Sequence, residues 1–406
     1  MGFCQPKLRL ILSIFLLAGL ASANIIKDAR LCDVSPSENE IAKESERSRK
    51  AQVNVDPAGY TLSHVVILSR HSIRAPQRID NKLIKTESFP LGLGYSTKIG
   101  NRFSVKVGKI WREFYGDFVK NTNIRQTWIR SSSYIRCAET QQLALGQMLP
   151  PDDEFSFGHP TQPIIAIKLP IGNDVNVETC DVPAPQSLPE LDELTDPALT
   201  SDGFSTFGEF VKFVTDKTGY LPNETAYFEP IIDGIYCSKY NQLPIPRWAE
   251  EKWRSLDFAM RKLSHDYWIN EIPYYGNYIG KFLASRLSTF ANGPYQHRFS
   301  FLSYHDTSIQ AVLKALGNDP VELYPGFLAA LHFQVYRRDS DGELFVRAMY
   351  HQGATPELEY RDAEEIRIEA CPFPSCTLKD LASKLSHIYD DVDRSPCSRI
   401  DFTALL

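Results

Sequence analysis

Two guanidiniums and an imidazole fall within five residues at Arg70-His71-Ser72-Ile73-Arg74, followed by Ala75-Pro76. Arginine presents paired planar donors to phosphate oxygens, and an imidazole with a free lone pair is a nucleophile, so this spacing suits a phosphate site. Pro76 stiffens the exit from the turn. Two further polar clusters have similar surroundings, Arg130-Ser131-Ser132-Ser133 and His305-Asp306-Thr307. Each has a plainer alternative: Arg70, Arg74 and Arg130 as solvated surface cations, His71 as a turn histidine, Asp306 as a helix-capping acid.

The elements around the clusters decide between these readings. His64-Val65-Val66-Ile67-Leu68-Ser69 carries four consecutive aliphatics, the pattern of a strand covered on both faces in a parallel sheet, and it ends at Arg70. Gln126-Thr127-Trp128-Ile129 reads as a second strand ending at Arg130, and a helix with Ile135, Ala138, Leu145 and Leu149 on one face follows as far as Pro150-Pro151. Arg298 to Tyr304 reads as a third strand, and from Thr307 a helix runs to Gly317. His305 and Asp306 then stand at a helix N-terminus, where the dipole and free amides favour an anion. In a doubly wound sheet the carboxyl ends of parallel strands share one edge, so the three clusters are expected to meet in one crevice. Three guanidiniums there would bind a phosphate dianion and match the charge that builds up in phosphoryl transfer.

The remaining chain supports an α/β fold. The prediction is a three-layer α/β/α sandwich with a mostly parallel central sheet and a smaller helical cap. Residues 60–180 and 295–400 form the core, and 181–294, rich in Pro, charge and aromatics, form an inserted helical cap. Ile99, Phe103, Val107, Ile110, Trp111 and Phe114 mark an amphipathic helix, with Gly100 and Gly108 inside it for close packing on the sheet. Leu331–Tyr336 and Leu344–Tyr350 form an antiparallel hairpin, and a helix follows near Leu378–Ile388. Residues 24–59 are polar and are expected to form a mobile arm.

The chain has 406 residues, 43% hydrophobic and 23% charged, with a formal net charge of −6. An acidic chain of this kind is not a nucleic-acid binder, and an anionic substrate must be held by a local cation cluster. Met1 to Ala23 reads as a secretory leader, with Lys7 and Arg9 before an apolar run too short to span a bilayer. No later stretch has membrane length, so the mature protein is expected to be soluble, either secreted or held in an acidic organelle such as the lysosome. Cys32, Cys137, Cys180, Cys237, Cys371, Cys376 and Cys397 follow the leader; seven is odd, so one thiol is free or pairs between chains. Cys371 and Cys376 are near enough to bridge locally. No cysteine or histidine spacing suggests a zinc site. Asn223-Glu224-Thr225 is a glycosylation sequon.

At these residues the chain resembles the histidine acid phosphatase family. Arg70 to Pro76 is similar to its R-H-G-x-R-x-P signature, Arg130-Ser131 to its R-S segment, and His305-Asp306-Thr307 to its H-D-T segment. Ser96 to Tyr115 and Arg136 also follow the family pattern. The resemblance implies a sheet sandwiched by helices, a helical cap, no metal and no cofactor, and acid hydrolysis of small phosphate monoesters. His71 would be the nucleophile that forms a phosphohistidine, and Asp306 would protonate the leaving alcohol. Arg70, Arg74, Arg130 and His305 would bind the phosphate. The resemblance also implies Cys180–Cys397 and Cys371–Cys376 disulfides, and places Cys237 at a bridged position whose partner is missing here. Two residues depart from the pattern: Ser72 replaces a glycine and Ser133 a common aspartate. They motivate an alternative reading, a secreted protein of the same fold that binds phosphate esters without turnover. The sequence fits either a monomer or a homodimer.

Overall fold

The computed structural model describes residues 52–80, 82–151, 162–168, 174, 192–219, 225–268, 272–292 and 297–391. The leader, Cys32, Cys180, Cys397, Asn223 and most of the polar arm lie outside the described residues.

Strand β1 (Tyr60–Arg70) is covered on both faces, as its aliphatic run requires. Side chains alternate along a strand, so Val65 and Ile67 enter one core with Phe103, Val107 and Trp111. Val66 and Leu68 enter a second core with Leu283, Leu302 and Val312. Strand β2 (Thr127–Ser131), β3 (Ile167–Lys168) and β4 (Phe299–Tyr304) lie parallel to β1 in the order β3-β2-β4-β1. On the other side of β1, β5 (Ala330–Arg338), β6 (Leu344–His351) and β7 (Ala363–Glu365) continue the sheet as an antiparallel meander. The sheet is therefore mixed, parallel through the half that bears the polar clusters and antiparallel beyond it.

Helix α1 (Lys98–Tyr115) and α2 (Ile135–Met148) cover one face. The buried stripe of α1 is Phe103, Val107, Trp111 and Phe114, with Ile110 half-buried at its margin. Helices α3 (Phe207–Thr218), α4 (Thr225–Tyr240) and α5 (Trp253–Trp268) extend the first core, with Phe207, Phe210, Tyr236 and Phe258 in it. Helix α6 (Ile272–Asn292), α7 (Asp306–Ala315) and α8 (Leu378–Ser386) cover the second face.

The two glycines of α1 act on different partners. A Cβ on Gly100 would lie 2.0 Å from the carbonyl oxygen of Ile73, so this glycine lets the helix rest on the Arg-His segment itself. A Cβ on Gly108 would lie 2.1 Å from the carbonyl oxygen of Ala144 in α2, so this contact is helix to helix, not helix to sheet as expected.

The described end of the arm is tied down. Asn54 accepts from Arg347 at 2.6 Å and from Gln334 at 3.0 Å, and the Gln52 side chain exchanges two hydrogen bonds with Ala363. Cys371 and Cys376 form a disulfide, while Cys137 and Cys237 are buried and unbridged.

Candidate active site

Strand pairing delivers the first cluster. The amide of Arg70 donates to Ala329 and that of His71 to Tyr304, so both neighbouring strands hold the segment as it leaves the sheet. Ser72 is held next, its amide donating to Thr140 Oγ1 at 2.8 Å and its hydroxyl to the Gly100 carbonyl at 2.7 Å. The serine in place of glycine is thus absorbed as a tether to α1, and no residue of the segment has a positive φ.

The His71 ring is buried, with Nδ1 at 2.8 Å from the Ser72 carbonyl oxygen. A carbonyl only accepts, so Nδ1 carries the proton and Nε2 keeps its lone pair. Burial, then the charges of Arg136 and Arg70, then His305 and Arg74, hold its pKa well below the ordinary value of 6.5. The ring stands edge-on to His305, with centroids 5.4 Å apart.

His305 follows β4 by one residue and precedes α7. Its Nδ1 faces Arg136 Nη2 at 3.5 Å, and its Nε2 faces the Ser132 hydroxyl at 3.0 Å. A guanidinium only donates, so Nδ1 accepts and Nε2 donates to Ser132. Burial and the same three arginines hold this imidazole neutral as well.

Each remaining cation has its own arrangement. Arg70 Nη2 is 3.0 Å from Asp306 Oδ2, and its Nη1 donates to the Pro325 carbonyl at 2.6 Å. Arg74 forms a fork with Asp233 of α4, both bonds 3.0 Å. Burial pulls Asp233 up, but Arg74 and the Gln77 amide outweigh it and hold the carboxyl below the usual range. Cys237 lies 3.3 Å from Arg74, with its thiol pushed up by burial and by Asp233.

Arg130 does not join this cluster. Strand β2 runs on to Ser131, which leaves Arg130 inside it, paired with Leu302 of β4. Its guanidinium turns to Asp174 at 3.0 Å and lies over the Phe282 ring of α6. The third guanidinium is Arg136, in the first turn of α2. It lies 4.4 Å above the Tyr134 ring and has no carboxylate partner among the described residues.

Asp306 opens α7, with Oδ1 accepting from the Thr307 amide at 3.1 Å and Oδ2 from the Tyr324 hydroxyl at 3.3 Å. Its side chain keeps 18% of its surface exposed, whereas His71 keeps 2%. The structure thus brings Arg70, His71, Arg74, His305 and Asp306 together and adds Arg136, Ser132 and Tyr324. Arg136 was legible as a cation at the start of the helix after β2; Tyr324 carried no signal in the sequence.

No model of a known protein family matches the chain. Curated relatives do: the prostatic acid phosphatase of Bos taurus is 24% identical over 343 residues, which is 78% of this chain and 82% of that protein. The lysosomal acid phosphatase of Xenopus laevis is 22% identical over 358 residues, 84% of this chain and 80% of that one. Among solved structures, the Hafnia alvei phytase in complex with myo-inositol hexakis sulphate superposes with a TM-score of 0.57 at 16% identity, covering 84% of this chain and 99% of that one. The Citrobacter braakii phytase gives 0.56 at 15%, covering 81% and 98%. With this sheet and these clustered arginines and imidazoles, the chain is similar in sequence to acid phosphatases and in fold to phytases.

Proposed function

We propose that the protein hydrolyses phosphate monoesters at acid pH through a phosphohistidine on His71. The observation that carries this reading is the state of the two imidazoles. Both are kept neutral among three guanidiniums, and the His71 Nδ1 bond to Ser72 leaves Nε2 as the free nucleophile. Because its pKa is lowered, that lone pair survives below neutral pH.

In this reading the ester phosphate is gripped by Arg70, Arg74 and Arg136, and His305 joins them by turning its Nε2–H from Ser132 to a phosphate oxygen. Nε2 forms a bond to phosphorus as the bond to the ester oxygen breaks. The electron pair leaves on that oxygen, which takes a proton from Asp306. Water then attacks phosphorus and passes a proton to Asp306, and the nitrogen–phosphorus bond breaks. The acid phosphatase and phytase names of the relatives and structural neighbours support the chemistry. The prostatic and lysosomal relatives, and a leader followed by cysteines, support a secreted or lysosomal location.

A rapid-quench experiment with labelled p-nitrophenyl phosphate at acid pH tests the mechanism. Label trapped on His71, and a His71→Ala variant slower by about 10⁴-fold or more, is the expected result. Phosphate binding with neither trapped label nor released product would replace it with the non-catalytic reading.

A further inference from the structure

Tyr324 lies in the loop between α7 and β5 and is 3% exposed. Its hydroxyl donates to Asp306 Oδ2 at 3.3 Å and receives Arg70 Nη1 at 3.4 Å. The Ser264 hydroxyl of α5 also bonds to it, and Ser264 in turn takes Gln310 Nε2 of α7 at 3.4 Å. A phenol has one proton, and here that proton is directed at the carboxylate.

The contact matters because Asp306 shares its ion-pair partner with the substrate. Arg70 Nη2 holds Asp306 at 3.0 Å, and it is also one of the three cations available to a phosphate dianion. When the dianion engages Arg70, Asp306 loses that restraint and must act as a proton donor without it. Two hydrogen bonds then remain on the carboxyl, the Thr307 amide on Oδ1 and the phenol on Oδ2.

We propose that Tyr324 is a positioning residue for the proton donor, holding Asp306 in place after Arg70 turns to the phosphate. With the phenol proton on Oδ2, the transferable proton is carried on Oδ1. It passes to the ester oxygen as the phosphorus–oxygen bond breaks and the pair of electrons leaves on that oxygen. The proposal rests on the phosphatase reading and deepens it by linking α5, through Ser264, to the acid step.

Leaving-group dependence separates this role from a structural one. p-Nitrophenolate departs without a proton, whereas the alkoxide of glycerol 2-phosphate needs one. Tyr324→Phe is expected to lose about tenfold in kcat/KM, which reports only the steps through phosphoenzyme formation, on glycerol 2-phosphate. On p-nitrophenyl phosphate it should lose less than about twofold, with inhibition by inorganic phosphate unchanged. Equal loss on both esters, or loss on neither, overturns the proposal. Should Tyr324→Phe fail to fold, Ser264→Ala serves, with the same ratio moving about two- to threefold and an unmoved ratio overturning the idea. An unmodified chain inactive on both esters overturns the phosphatase reading itself; an active one with an unmoved ratio overturns only the role of Tyr324.

Discussion

Of the three guanidiniums at the imidazole pair, two already have carboxylates: Arg70 has Asp306 and Arg74 has Asp233. Arg136 has none among the described residues, and burial, first among its causes, lowers its pKa. A cation withdrawn from water without a counter-ion is costly, and an arriving dianion relieves that cost. Arg136→Ala is therefore expected to weaken inhibition by inorganic phosphate at least tenfold and to lower kcat/KM by about 10²–10³, leaving the melting temperature unchanged or higher. Arg130→Ala should do the reverse. It removes the buried ion-pair partner of Asp174, and loses about 3–5 kcal/mol in urea unfolding while phosphate inhibition stays intact. Equal effects on phosphate binding would contradict the division of labour between the two arginines. Arg136 also acts on His71, second to burial, in lowering its pKa. With Arg136→Gln that repulsion is gone, the imidazole protonates more readily, and the acid limb of kcat/KM moves up toward the ordinary histidine value.

At the scale of elements, α1 is the rigid support of the Arg-His segment. Gly100 and Gly108 would each drive a new Cβ to about 2 Å from a backbone oxygen, but only Gly100 meets the segment, at Ile73. Gly100→Ala and Gly108→Ala should both destabilise by roughly 1–3 kcal/mol or more, because backbone atoms have little room to yield. Only Gly100→Ala should also lower kcat, by about tenfold or more, since a shift near an angstrom is enough to misalign a nucleophile. Comparing unfolding by urea with kcat for the pair checks this; matched activity losses would remove the special role of Gly100. The same elements show what was legible beforehand. The aliphatic run ending at Arg70 and the strand-to-helix junction at His305 were readable, because burial on both faces and helix polarity leave plain patterns. Arg130 was misplaced because strand ends are set by pairing, and β4 carries the ladder on to Ser131. Two extra strand residues put Arg130 onto a covered face and left the edge to Ser132 and, one helical turn later, Arg136. Tyr324 and Asp233 arrive from a loop and from α4, both distant in sequence, where no local periodicity speaks of their neighbours.

At the scale of the whole molecule, the site's imidazoles belong to a larger set whose neutrality the fold enforces. His71, His305, His332 and His351 are buried, and burial, with neighbouring guanidiniums at the first two, lowers their pKa values, that of His351 to about 4. His332 and His351 lie 5.0 Å apart between centroids on β5 and β6. Nδ1 of the first faces the Tyr115 hydroxyl at 2.7 Å, and Nδ1 of the second donates to the Arg361 carbonyl at 3.0 Å. In the unfolded chain the same groups protonate near 6.5, so below that pH the unfolded state binds more protons than the folded one. Stability contributed by these groups is therefore complete above about pH 6.5 and is lost as pH falls below it, toward about 4 for His351. Asp233, with its lowered pKa, adds a loss of the same sign at still lower pH, as its carboxylate is protonated away from Arg74. If the protein works at acid pH as proposed, it does so on a falling stability curve, and a ligand that binds only the folded state should offset the fall. Urea unfolding from neutral to acid pH should show the midpoint dropping below about pH 6.5, with inorganic phosphate at about 100 times its Kd restoring about 2.7 kcal/mol. Replacing His332 and His351 by Gln should flatten the slope by up to about 1.4 kcal/mol per pH unit for each imidazole removed, whatever its effect at neutral pH. A slope equal to that of the unmodified chain would mean that these two rings are not held neutral by the fold, and that the acid sensitivity resides in the site alone.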